Sequence, residues 1–210
     1  MVTGATCRQA INTHSAITMK RILLVLLLIV VLGGVFAKKY IAFGDGDGGI
    51  TALMLVAATG RTDDARKLIA GGANVNATDT NGHTALMNAS LHGHTDTVRL
   101  LIEKGANVHA ASSQKEIAGG TALTLAAFKG HTDVARLLID KGANINTADN
   151  KGLTPLMLAA HYGHADIARL LIEQGANVTP ADKRGYTALM YATKGGHTAI
   201  ADMLRAVGAK

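Results

Sequence analysis

Residues 121–144, TALTLAAFKGHTDVARLLIDKGAN, decide the fold. Thr121 is a residue type that caps a helix start by accepting a backbone hydrogen bond, and an apolar run from Ala122 to Phe128 follows it. Gly130 ends that run, where a left-handed backbone is wanted. A second helical segment begins at once. Asp133 lies in its first turn and suits the positive end of the helix dipole, Val134 to Ile139 carry one apolar stripe with Arg136 turned out, and Gly142 stops it. A helix pair this short cannot bury both of its apolar faces, so it must lean on neighbours of the same kind.

The neighbours are in the sequence. The tetrads Thr51-Ala-Leu-Met54, Thr84-Ala-Leu-Met87, Thr121-Ala-Leu-Thr124, Thr154-Pro-Leu-Met157 and Thr187-Ala-Leu-Met190 start 33, 37, 33 and 33 residues apart. A second motif follows in phase as Gly93-His-Thr-Asp96, Gly130-His-Thr-Asp133 and Gly163-His-Ala-Asp166, and a third closes the unit as Glu103-Lys-Gly-Ala-Asn107, Asp140-Lys-Gly-Ala-Asn144 and Glu173-Gln-Gly-Ala-Asn177. Three motifs in fixed register mark a stacked-repeat architecture.

On these motifs residues 47–210 resemble an ankyrin-repeat array, whose units hold a β-turn and two antiparallel helices and open with T-P-L-H-x-A. The fold expected is all-α: an ankyrin-repeat solenoid of about five helix-pair repeats with short β-turn hairpins, at about 49–78, 79–111, 112–148, 149–181 and 182–210, preceded by one N-terminal hydrophobic helix. Only Thr154-Pro155-Leu156 keeps the proline, and the histidine of the opening is Met in four units and Thr124 in one, which loses a polar tie between turn and helix. The end units read as caps. Asp64 and Lys67 stand where Val134 and Leu137 stand in the third unit, and Arg205 stands where Ile102, Ile139 and Ile172 stand, so five units read as a complete array. Asn88 is the misfit: its position is Leu55, Leu125, Leu158 and Tyr191 in the other units.

The resemblance implies protein binding through the hairpin tips and the exposed side of the first helices. The implied partner-binding residues are Leu91, His92, Phe128, Lys129, His161 and Tyr162 on helices, and Leu153, Lys183, Arg184 and Tyr186 on hairpins. Four aromatics follow the linker, Phe128, Tyr162, Tyr186 and Tyr191, and three of them fall on this surface. Aromatics and arginine dominate interface hot spots. The third unit also carries a four-residue insertion within Ala110–Gly120, read equally well as part of the binding face or as a neutral insertion.

Ahead of the array, Ile22 to Ala37 is an unbroken run of sixteen apolar residues and glycines with Lys20 and Arg21 before it and Lys38 and Lys39 after it. Two readings stand for residues 19–37. One is a signal peptide ending at Val35-Phe36-Ala37, with Met19 as the start and residues 1–18 an artefactual or unstructured extension. The other is a single-pass anchor, short at about 24 Å but helped by snorkelling lysines, with the array outside the cytoplasm. Localisation is accordingly membrane, or exported or periplasmic after cleavage. Residues 38–48 form a Gly/Asp-rich linker. Asp45-Gly46-Asp47-Gly48 hints at a calcium loop, but the twelfth position is Val56, so the stretch reads as a tether.

Composition narrows the function. Net charge is +6, but Arg8, Lys20 and Arg21 precede the array region, leaving 18 basic and 15 acidic side chains in residues 38–210, a mild +3 that argues against nucleic acid. Cys7 is the one cysteine and lies outside the array, so neither disulfides within the chain nor thiolate metal sites are expected. No phosphate loop or nucleophile elbow occurs. Of eight array histidines, His94, His131, His164 and His197 recur at one repeat position, which points to a structural role. The expected function is a non-enzymatic protein-binding scaffold, a monomeric array with no cofactor. The alternative is a metal- or haem-binding carrier using the array histidines.

Overall fold

The protein is described by a computed structural model over residues 49–113 and 120–209. Those residues form ten helices: α1 (Ala52–Ala58), α2 (Thr62–Ala70), α3 (Ala85–Leu91), α4 (Thr95–Glu103), α5 (Ala122–Lys129), α6 (Thr132–Asp140), α7 (Pro155–Tyr162), α8 (Ala165–Glu173), α9 (Ala188–Lys194) and α10 (Thr198–Ala206). The described residues contain no strand, only two isolated antiparallel bridges, Ala111 with Thr121 and Ala181 with Thr187. The helices pair within each unit and stack between units, which makes the expected all-α solenoid. The expected N-terminal hydrophobic helix lies outside the described residues, as do positions 114–119 of the insertion. Among the described residues no helix is long and apolar enough to cross a membrane.

Thr51, Thr84, Thr121, Thr154 and Thr187 each have extended backbone and cap the first helix of a unit, accepting from the amide three residues on at 3.2 to 3.4 Å. The polar tie expected to be lost at the opening is kept in the third unit: the Thr121 amide donates to Thr124 Oγ1 at 2.6 Å, closing a reciprocal capping pair. The short hydroxyl reaches back where a methionine thioether offers only a weak acceptor.

The second helices follow His94, His131, His164 and His197, and these rings hold the repeats together. Each Nε2 lies 3.1 to 3.2 Å from a carbonyl oxygen at the end of the preceding unit's first helix, those of Ala58, Leu91, Phe128 and His161. A carbonyl only accepts, so Nε2 carries the proton and donates. The same four rings rest on Gly60, Gly93, Gly130 and Gly163, whose φ values are +68, +76, +84 and +76. A Cβ at any of them would meet the ring at 2.5 to 2.8 Å. Glycine is therefore required twice over, by the left-handed turn and by the histidine of the next unit.

The core is a ladder. Leu53, Leu86, Leu123 and Leu156 from first helices and Leu101, Leu138, Leu171 and Leu204 from second helices are 2% exposed or less. Full burial of one such side chain is worth roughly 1.5–3 kcal/mol. Ala57, Ala89, Ala126, Ala159 and Ala192 are fully buried and let the first helices approach closely. The ends are only partly capped. Asp64 pairs with Arg61 and Lys67, and Arg205 pairs with Asp202 at 2.8 Å, as polar end faces should. Met190, however, is 48% exposed where Met54, Met87 and Met157 are 1% exposed, because no helix among the described residues packs over it. The last unit is thus polar on its Arg205 row and apolar on its Met190 row.

Candidate partner-binding groove

The first helices lie closer to one another than the second helices do, so the array curves with α1, α3, α5, α7 and α9 on the inside. Hairpins 79–83, 149–153 and 182–186 run beside this inner row. Each is built on an aspartate whose Oδ1 accepts two backbone amides at 2.8 to 2.9 Å: Asp79 from Asn81 and His83, Asp149 from Lys151 and Leu153, Asp182 from Arg184 and Tyr186. The carboxylates are occupied within their own hairpins while neighbouring cations stay exposed.

Between hairpins and helices lies a groove of about 420 Å³. Leu91, Leu125, Phe128, Leu158 and Tyr162 give it an apolar floor, His83, Asp149, Lys151 and Leu153 line it from the hairpin side, and Asn88 and Lys129 also face it. From its aromatic end a row of rings runs on toward the last unit. Phe128 and Tyr162 meet edge-on at 4.8 Å, His161 lies 4.6 Å from Tyr162 and 5.1 Å from Tyr191, and Tyr186 lies 5.6 Å from Tyr191. Cations sit on this row: Lys129 Nζ is 4.7 Å from the Phe128 centroid, and Arg184 and Lys194 are 5.5 and 5.2 Å from that of Tyr186.

Asp182 anchors the far end. The Tyr191 hydroxyl donates to Oδ2 at 2.6 Å and Arg184 Nε donates to the same oxygen at 3.2 Å, while an Arg184 Nη2–H also meets the Tyr191 hydroxyl. Burial pushes the carboxyl up, but hydrogen bonds from the Tyr191 hydroxyl, the Tyr186 and Arg184 amides and the Arg184 side chain outweigh it and hold the pKa at about 2, against 3.8 ordinarily. Burial, then the Asp182 hydrogen bond, push the Tyr191 phenol up. The folded carboxyl is the stronger acid, so its contribution is full above the unfolded pKa and disappears as pH falls through the folded one. The shift corresponds to about 2 kcal/mol. In thermal unfolding followed from pH 6 to pH 2, Asp182→Asn is expected to lower stability at pH 6 and to close most of the gap to wild type near pH 2. A gap that is constant across this range would contradict the assignment.

Of the residues expected to bind a partner, Leu91, Phe128, Lys129, Leu153 and Tyr162 are brought together in the groove. His161, Arg184 and Tyr186 belong to the ring row beyond it. His92 and Lys183 join neither: His92 Nδ1 binds the Asn88 carbonyl at 2.9 Å with its ring stacked on His94, and the Lys183 amide donates to the Lys151 carbonyl. Asn88, Leu125 and Leu158 were not expected to bind. The two leucines sit at a recurring apolar position that reads as core, whereas Asn88 announced itself only as an unexplained departure. Among the described residues no three or more His, Cys, Asp or Glu side chains gather where a metal ion would fit, and the recurring histidines use Nε2 on backbone carbonyls.

Such a fold and groove define a helical-repeat solenoid with an exposed inner face. Stretches 14–112, 53–149, 109–182 and 147–210 each match the family described as ankyrin repeats in three copies, and the chain belongs to the ankyrin-repeat family. No curated protein matches it. Ankyrin repeats are generally protein–protein interaction modules, and the family is typically non-enzymatic.

Proposed function

We propose that this protein is a non-enzymatic scaffold that captures a protein partner on its inner face, held at a membrane or released beyond it by residues 19–37. The observation that carries the reading is the groove between hairpins and first helices with its continuing row of rings and cations. That row runs from Phe128 through Tyr162, His161 and Tyr191 to Tyr186, and Tyr162 is 46% exposed although aromatics are scarce in the chain. Exposed rings beside cations are what desolvated interface anchors are made of. The flanking lysines and the apolar run from Ile22 to Ala37 support the membrane-linked location.

A photo-crosslinking amino acid placed at Tyr162, and separately at the outward Arg136 of α6, distinguishes the faces. The partner is expected to crosslink from position 162 and not from 136, and the reverse pattern would reject the inner face. N-terminal sequencing of the mature protein decides between leader and anchor. A new terminus at Lys38 shows cleavage, and an intact leader that resists alkaline extraction shows an anchor.

A further inference from the structure

Asn88 interrupts a position that is leucine or tyrosine in every other unit. It is half-buried and faces the groove beside Leu91 and Leu125. The hydrogen bonds made at this residue run through its backbone: the amide donates to the Thr84 carbonyl, and the carbonyl accepts from the backbone amide and Nδ1 of His92. Its side-chain amide has no protein partner among the described residues. A primary amide donates and accepts at once, which matches the alternating N–H and C=O of an extended chain. A helical ligand has its backbone groups already paired and could answer the amide only through a side chain.

The charges around the groove indicate what that chain carries. Lys129 and Lys151 face it and are exposed, and Arg184 and Lys194 continue the basic side along the ring row. The carboxylates on this side are Asp79, Asp149 and Asp182. All three give Oδ1 to their own hairpin amides, Asp79 lies 3.5 Å from His83 Nδ1, and Asp182 also holds Tyr191 and Arg184. Arg184 is thus paired within its own hairpin, while Lys129 and Lys151 are left to an outside anion.

We propose that the groove takes an extended acidic segment of the partner. Asn88 pairs with its backbone, an apolar side chain seats against Phe128 and Tyr162, and its carboxylates meet Lys129 and Lys151. The proposal rests on the inner face being the docking surface and names what docks there.

The probe is a library of short synthetic peptides in which Leu and Phe alternate with acidic, neutral or basic residues, presented to the full chain in mild detergent. The retained pool is expected to be acidic and to bind more weakly as salt rises. Lys129→Glu with Lys151→Glu is expected to weaken its best members about tenfold or more. Asn88→Leu places the residue found in three other units, so folding is expected to be kept, while affinity falls about fivefold through one lost hydrogen bond and the Asn88 side-chain amide signals no longer mark binding in NMR spectra. A neutral or basic pool that still depends on Phe128 and Tyr162 would overturn the acidic segment while leaving the docking surface in place. An empty pool also overturns it. Loss of both readings would be marked by an empty pool together with a partner that crosslinks from Arg136. Wild-type binding by Asn88→Leu removes the role of that residue.

Discussion

Gly93→Ala is expected to destabilise the array by roughly 2–4 kcal/mol, a large effect for a single methyl group and one that the equivalent Gly60 and Gly163 share. Gly93 sits at φ +76 between the two helices of the second unit, against the third unit, and a Cβ there would lie 2.5 Å from His131 Nδ1 and 2.9 Å from Cγ. The left-handed backbone alone costs an alanine about 1–2 kcal/mol. The ring cannot simply swing aside, because Nε2 of the same imidazole donates to the Leu91 carbonyl at 3.1 Å. Retreat of the ring breaks a contact between units, and stacking is what makes each unit viable. A double-mutant cycle with His131→Ala separates the two terms. The double mutant is expected to cost clearly less than the sum of the singles, since removing the ring removes the clash. Strict additivity in denaturant melts would mean that glycine and histidine do not act as one clasp.

Phe128→Ala combined with Tyr162→Ala is expected to weaken partner capture about 30-fold or more, while thermal unfolding changes little. Tyr162 is 46% exposed and Phe128 is only half-buried, so neither belongs to the leucine ladder that sets stability. Their edge-on contact at 4.8 Å holds two rings in place before any partner arrives, which lowers the ordering cost of binding. Equal capture by mutant and wild type in a quantitative pull-down would remove the groove from the interface. A large drop in melting temperature would instead make the pair part of the core.

The framework was open to reading from the residues because the chain repeats its local signals. Five threonines with an apolar run behind them, a glycine after each run and, in the first four units, an aspartate in the next turn specify helix, stop and helix by chemistry that needs no tertiary context. The histidine role was legible only as recurrence. That each ring touches the glycine of the unit before it depends on stacking geometry, which spacing alone does not contain. The groove was half legible: the hairpin and first-helix positions implied by the ankyrin resemblance put Leu91, Phe128, Lys129, Leu153 and Tyr162 together. His92 fell outside because its ring bends back to its own helix carbonyl, and Lys183 fell outside the groove and ring row because the cation–ring contacts there are made by Arg184 and Lys194. Tyr191 could not be placed from the sequence, since a tyrosine in a leucine position reads as either core or surface. It is 5% exposed, under the ring row, with its hydroxyl on Asp182.

Hydrogen exchange of the full chain with and without its captured partner tests the central claim most directly. Slower exchange on binding is expected in hairpins 149–153 and 182–186 and at the exposed ends of α3, α5 and α7, with no change along α4, α6 and α8. Protection confined to those second helices, with the inner face exchanging as in the free protein, would contradict the account.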